Sequence, residues 1–411
     1  MRRSSFRWSC VLVLVLSSVL NGCGSSTAAT STGGTAASET SRSAEPTSVV
    51  LAVVDPPKMS TTDYLLPPGC GVDDFTESLA AYEQWTSKEY PVATIGLLDL
   101  ASGNYRSVLP APVGAAEKFD AFSPRLSDNW LVWEEVSPDE GYDMGNATWR
   151  LYTAPIDRES LSIGEPMLVD TGDTSIVARP FYNAWGDEIV WARLTWAVSG
   201  QEAPVIHSEI MALDAVTGTE RVVARSDNAW HAVNFSGGCA IATELVDRES
   251  AEYAAVTIDL KTGQEVQRVF FTARHGVSHV AERVGERTFW AAFPNRESVI
   301  PSLFCADASG AVTKIRPSSM DGCGVGSYLF CESNLQEGKS ATDDSFSAIV
   351  GVDMENRTTW FLDKTNDGLW QLPAQTGWHE DTLIGSLDSG TVVDGEVVGQ
   401  TLVRRWVLGN E

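Results

Sequence analysis

Apolar and polar positions alternate in short runs along residues 48–411, the two-residue period of half-buried β-strands. Runs such as Asn129-Trp130-Leu131-Val132-Trp133, Asp187-Glu188-Ile189-Val190-Trp191, Arg287-Thr288-Phe289-Trp290 and Ser327-Tyr328-Leu329-Phe330 are rich in β-branched and aromatic residues, as buried strands are. A further strand follows each, ends near an aspartate, and gives way to a tight turn and a short outer strand. The turns read Leu98-Asp99-Leu100-Ala101-Ser102-Gly103, Leu213-Asp214-Ala215-Val216-Thr217-Gly218, Ile258-Asp259-Leu260-Lys261-Thr262-Gly263 and Ala306-Asp307-Ala308-Ser309-Gly310, with degenerate copies at Asp157 and Asp353. The aspartate carboxylate can accept hydrogen bonds from the turn's own amides, so these acids are expected to be structural.

Successive aspartates lie roughly 45 to 58 residues apart, the size of one four-stranded propeller blade. The expected fold is therefore an all-β β-propeller of seven four-stranded blades closed by strands from both termini; six or eight blades also fit, because the first and last units are irregular. The last unit, from about residue 370, lacks an outer strand, and Val49-Val50-Leu51-Ala52-Val53-Val54 is expected to supply it. Joining the two ends in one sheet removes two exposed edges.

A different pattern precedes this domain. Arg2, Arg3 and Arg7 lead into the apolar run Val11–Leu20, too short for a membrane span of roughly twenty residues but laid out as a signal peptide. Residues 24–47 are Ser, Thr, Ala and Gly with little to bury, which predicts a tether. The expected organisation is a leader at 1–22, a tether at 23–47 and the propeller at 48–411. Leu20-Asn21-Gly22-Cys23 resembles the lipobox of bacterial lipoproteins. That resemblance implies diacylglycerol on the Cys23 thiol and a domain held outside the cytoplasm on the cell-envelope membrane.

The alternation of an inner strand, a Val-Trp strand and an aspartate turn resembles the TolB-type propellers, which implies an envelope docking platform. Met211–Gly218 also looks like the repeat of quinoprotein propellers, although Thr219-Glu220-Arg221-Val222 stands where that family has a tryptophan. Ser386–Val392 partly matches the sialidase Asp-box, once and without its final tryptophan.

The formal charge of −26 disfavours phosphate backbones and anionic surfaces, so nucleic acid is not an expected partner. Five cysteines fall in the domain, at 70, 239, 305, 323 and 331. Cys323 and Cys331 flank Gly324-Val325-Gly326-Ser327 and are the candidate disulfide of an oxidising exterior, against the alternative of five buried free thiols. Histidines are scarce, and the spacing of His275 and His279 puts two ligands on one face only in a helix, where Gly276-Val277-Ser278 reads as turn or strand. No nucleophile elbow or phosphate loop occurs, and no cofactor or metal is expected. Paired acids such as Glu134-Glu135 read as solvated loop charges. Tryptophans in strands read as packing between blades, whereas Trp185, Trp230, Trp370 and Trp378 are the candidate aromatic binding surface.

These features predict a surface-tethered, non-enzymatic binding or scaffold protein whose partner is an envelope protein or a cell-surface glycan. The alternative is an envelope hydrolase acting on glycans or peptides with carboxylates at the channel mouth; its mark would be carboxylates and an arginine converging there with shifted pKa values.

Overall fold

The structure, a computed structural model, describes residues 47–85, 94–139, 143–196, 206–228, 230–247, 249–273, 277–293, 302–316, 320–333, 347–365, 368, 370–373, 377–388, 391–393 and 396–409. Residues 1–46, on which the expected leader, Cys23 and nearly all of the expected tether fall, lie outside the described residues.

Six blades are antiparallel meanders of four strands taken consecutively from the chain. Blade 1 comprises Cys70–Phe75, Leu79–Gln84, Thr94–Asp99 and Tyr105–Leu109. Blade 2 comprises Asp120–Leu126, Trp130–Asp139 and Asp143–Asp157, its outer position shared by Ser162–Ile163 and Met167–Asp173. Blade 3 is Phe181–Trp185, Glu188–Trp196, Ile206–Asp214 and Thr219–Ser226; blade 4 is Trp230–Ser236, Cys239–Asp247, Glu252–Asp259 and Glu265–Thr272. Blade 5 is Val277–Val284, Arg287–Ala292, Ser302–Ala306 and Val312–Arg316; blade 6 is Met320–Val325, Tyr328–Ser333, Ser347–Asp353 and Thr358–Thr365.

The expected seven regular four-stranded blades are thus corrected to six. What remains is a composite closing sheet, ordered Trp370–Gln371, Thr382–Asp388, Thr401–Leu408 and Met59–Leu66. Its inner strand is a two-residue stub because the chain then leaves the sheet, and Trp378–His379 pairs instead with the inner strand of blade 6.

Three N-terminal strands, β1 (Thr47–Val50), β2 (Ala52–Val53) and β3 (Met59–Leu66), form a strap around the outside. β1 pairs in parallel with the outer strand of blade 5, β2 with that of blade 6, and β3 antiparallel with Thr401–Leu408. The strand completing the closing sheet is therefore 59–66 and not the expected 49–54. Val49–Val54 is the more apolar stretch, but Leu51 is used as a wedge, buried with Val284, Ile315, Leu329 and Val350 between blades 5 and 6.

The core is distributed around the ring, one apolar cluster at each boundary between neighbouring sheets. The aromatic at the fourth position of several second strands fills these boundaries: Tyr82, Trp133, Trp191 and Trp290 are all buried. Each large ring needs a smooth surface opposite. At Gly96 a Cβ would lie 2.1 Å from the Tyr82 ring, and at Gly351 one would lie 2.3 Å from Trp360.

Candidate functional site

In an antiparallel meander the first and third strands end on the same side. One end of the ring, the turn face, therefore carries both the tight turns after the inner strands and the aspartate turns after the third strands. Each aspartate serves its own turn, as the sequence suggests. Asp214 accepts from the amides of Val216 at 3.0 Å and Thr217 at 2.8 Å, and Asp259 accepts from Thr262 N at 2.7 Å. Hydrogen bonds from the turns hold Asp99, Asp157, Asp214, Asp259 and Asp307 below the usual carboxylate range.

Nearest the axis, one register position repeats. Asp74, Arg125, Asn183, Asn234, Glu282 and Cys323 each pair with the third residue of their blade's second strand, and all six are buried. Three of them, Asp74, Asn183 and Asn234, bond forward to the next blade. Asp74 accepts from its neighbour Phe75 N at 2.9 Å and from Leu126 N of blade 2 at 2.6 Å. Arg125 donates back to the Asp73 carbonyl. Asn183 donates to Phe235 O of blade 4 at 3.4 Å, and Asn234 donates to the Glu282 carboxyl of blade 5, which also accepts from Ser236 Oγ at 3.1 Å. Burial raises the Asp74 carboxyl to about 7 and that of Glu282 to about 8.

A second set of acids braces the same boundaries one strand further out. Glu83, Glu134 and Glu332 share the fifth position of their second strands. Glu83 accepts from Ser123 N of blade 2, Glu332 from Leu372 N of the closing sheet at 2.6 Å, and Glu134 from Arg179, just before blade 3, at 2.8 and 2.5 Å. Glu135 accepts from Val113 N at 2.6 Å and Gly114 N at 2.8 Å. The reading of Glu134-Glu135 as solvated loop charge is thus corrected: both are buried latches, since the strand continues through them to Asp139.

The turn-face end of the axis is filled by residues 377–379. Gly377, at φ +84°, packs so closely on blade 4 that a Cβ would lie 2.7 Å from Phe235 O. Trp378 pairs with Gly324 of blade 6, and its Nε1 donates to Gly326 O at 2.7 Å. His379 stacks on Phe75 of blade 1 with ring centroids 3.9 Å apart, and burial pushes its pKa down to about 3. This plug touches blades 4, 6 and 1, and the sequence carries no periodic signal for it.

The four candidate tryptophans divide. Trp185 is 51% exposed and Trp378 37% exposed, both on the turn face and separated by the blade 4 turn, since Gly238 lies against Trp185 while Gly377 lies against Phe235. Trp230 and Trp370 are core residues, 2% and 3% exposed, and leave the candidate surface. Trp230 is drawn in by Ser208, Glu244 and the apolar boundary of blades 3 and 4, and Trp370 packs on Trp406 at 5.3 Å. The expected Cys323–Cys331 disulfide is also absent. Cys323 pairs with Phe330 and Cys331 with Gly322, so alternation sends the two side chains to opposite faces of the hairpin, and both are buried free thiols. No group of three or more metal-ligating side chains occurs among the described residues. His275 lies outside them, as does the side chain of His279.

No protein-family model matches the chain, and no curated protein matches it. Solved structures do. Acylaminoacyl peptidase from Pyrococcus horikoshii aligns at 12% identity with a TM-score of 0.50, over 82% of this chain and 50% of that one. Acylaminoacyl peptidase in complex with Z-Gly-Gly-Phe-chloromethyl ketone aligns at 12% identity and 0.50, over 82% of this chain and 52% of that one. The β-propeller domain of the trilobed protease from Pyrococcus furiosus aligns at 10% identity and 0.44, over 66% and 77%. The chain spans about half the length of the acylaminoacyl peptidase chains it matches. At such identities the likeness is one of fold, and the fold is a β-propeller.

Proposed function

We propose that this is an envelope-tethered binding or scaffold protein of TolB-like type that presents its turn face to a partner, with Cys23 as the lipid-modified anchor. One observation carries the reading. The polar groups around the axis are committed to holding sheet to sheet, and the turn-face end of the axis is occupied by the chain itself. Trp185 on that face takes no part in this bracing, and Trp378, although its Nε1 ties the plug to Gly326, keeps over a third of its surface in solvent; exposed aromatics of this kind suit a glycan or a polar protein surface. The lipobox-like Leu20–Cys23 and the low-complexity stretch after it support the anchor. The test is a pull-down from intact envelopes with the full chain, run beside a glycan array, each repeated with Trp185→Ala and Trp378→Ala. A partner or glycan retained by the wild type and lost by these variants supports the proposal. Capture that ignores both substitutions refutes the turn face as the site.

The hydrolase reading keeps one supporting observation: two acids raised into the neutral range, Asp74 and Glu282, share a ring with Arg125. Turnover of chromogenic glycosides or peptides that disappears in Asp74→Asn or Glu282→Gln would favour it over the scaffold.

A further inference from the structure

We infer that the N-terminal strap builds a small oxyanion site between blades 5 and 6, suited to the phosphate group of a soluble molecule. A cavity of about 130 Å³ lies there, lined by Val49 of β1, Arg287, Asp307, Thr313, Met354 and Arg357. Drug-sized ligands occupy roughly 300–1,000 Å³, so this space suits a compact ion.

The two arginines set it apart. Every other arginine whose side chain is described donates at least one hydrogen bond, to a carboxylate, a backbone carbonyl or a hydroxyl. Arg287 and Arg357 donate none among the described residues, and they line the same cavity. In a chain of net charge −26, two guanidinium groups that line one cavity without a hydrogen-bonded acceptor among the described residues are unusual, and their fork of N–H donors matches the oxygens of a phosphate. Asp307 does not neutralise both: its Oδ1 accepts from Ser309 N at 2.9 Å, Ser309 Oγ at 2.6 Å and Ala311 N at 3.1 Å, and Arg287 influences it only from beyond hydrogen-bond reach.

The turn that carries Arg357 points the same way. Four residues after Asp99, Asp214 and Asp259 stand Gly103, Gly218 and Gly263, all at positive φ. Four residues after Asp353 stands Arg357, at φ 56°. Leu161 holds the matching place after Asp157, but Leu161 is buried in the core between blades 1 and 2 in return. Arg357 is exposed and gains no such burial. A side chain kept in a left-handed conformation without packing to offset it is the kind of strain found at functional positions.

Occupancy is coupled to the strap. Val49 lines the cavity only because β1 pairs in register with Ile315, and Ala52 N donates to Arg357 O at 3.1 Å. A ligand here binds the docked strap and therefore stabilises it. A phosphate could reach the site on a lipid headgroup or on a soluble molecule; the strong negative charge of the chain opposes approach to an anionic bilayer and favours the soluble source.

The test is calorimetric titration and thermal melting of the full chain with inorganic phosphate, at ionic strength held constant with chloride. The wild type is expected to bind saturably and melt higher with phosphate. Arg357→Gly restores the glycine of the sister turns, so it should keep or raise the phosphate-free Tm while weakening phosphate about ten-fold or more; Arg287→Gln should weaken it similarly. Absence of any phosphate response in the wild type, or undiminished binding in both variants, overturns the site. Binding to phosphatidylglycerol vesicles without binding to phosphate overturns the soluble source. Both arginines belong to turn-face turns of blades 5 and 6, but neither variant alters Trp185 or Trp378 and the phosphate titration contains no partner, so its outcomes are separable from those of the partner screen.

Discussion

The side-chain amide of Asn234 in blade 4 donates to the carboxyl of Glu282 in blade 5, joining two sheets through two buried polar groups. With Asp74 to Leu126 and Asn183 to Phe235, it belongs to a set of bonds that fix the inner strands at three of the blade boundaries. Bonds of this kind are worth most where water is excluded, and they leave the largest deficit when one partner is removed.

Stability should fall as pH rises from about 5 to 8. Burial holds Glu282 near 8 and Asp74 near 7, above their unfolded values of about 4. Between those limits the folded state binds more protons than the unfolded one, so this contribution is complete below about pH 4 and lost as pH climbs through the folded pKa. The turn aspartates, lowered by their own hydrogen bonds, titrate well below this window. Denaturant unfolding at pH 5.5, 7 and 8.5 checks the trend, and Glu282→Gln should flatten it; a wild-type curve that rises across the window would contradict the assignment.

Removing the latch between blades 2 and 3 should be costly. Arg179 donates twice to Glu134, whose side chain is 3% exposed. Arg179→Ala leaves that carboxylate buried without its main counter-charge, a loss of about 3–5 kcal/mol. Arg106, which donates to a backbone carbonyl on the surface, makes the control: Arg106→Ala should change stability by less than about 1 kcal/mol. Urea titration of the two variants decides, and equal midpoints would remove the latch.

The plug makes a prediction about thiols. All five described cysteines are buried, so the native domain should react slowly with Ellman's reagent at these positions. Gly377→Ala introduces a Cβ against Phe235 O at a positive φ and should loosen residues 377–379 over Cys323. The expected result is faster labelling mapped to Cys323 by mass spectrometry, with the fold retained by circular dichroism. Labelling unchanged from wild type would mean that the segment does not cover the thiol.

Closure depends on Arg404, which donates to both carboxylate oxygens of Asp63 in β3, each at 2.6 Å, and to Asp363 of blade 6 at 2.7 Å. The group is about a quarter exposed, so solvent screens it; Arg404→Ala is expected to cost about 1–2 kcal/mol and lower Tm by a few degrees. Differential scanning calorimetry measures this directly.

Features set by neighbouring residues were legible in the sequence. The aspartate turns declare themselves because Asp214, Val216 and Gly218 meet within five residues, and the buried strands declare themselves through runs such as Leu131-Val132-Trp133. Features set by another sheet were not. Trp230 and Trp185 both border predicted strands, and only the packing of blades 3 and 4 buries one and leaves the other in solvent. Glu134-Glu135 carries the composition of a surface loop, yet its partners lie on segments that the chain reaches elsewhere. Closure was misplaced for a similar reason. The apolar Val49–Val54 looks the better strand, whereas Met59–Leu66 turns Ser60, Thr61, Thr62 and Asp63 outward, with no strand among the described residues paired beyond it at the rim of the closing sheet. For the functional site, the sequence offered four tryptophans and the structure keeps two.

The pairing of Met59 with Leu408 sets an order on folding. Asp63 and Arg404, which meet in that sheet, are 341 residues apart in sequence, so loop closure on this scale precedes the contacts that reward it. During synthesis β3 lacks its partner until Thr401–Leu408 arrives, and the outer strands of blades 5 and 6 keep bare edges until the strap lies down. Such a ring stays open for most of its assembly, so a holdase that shields strand edges should raise the yield of folded domain more than an isomerase would.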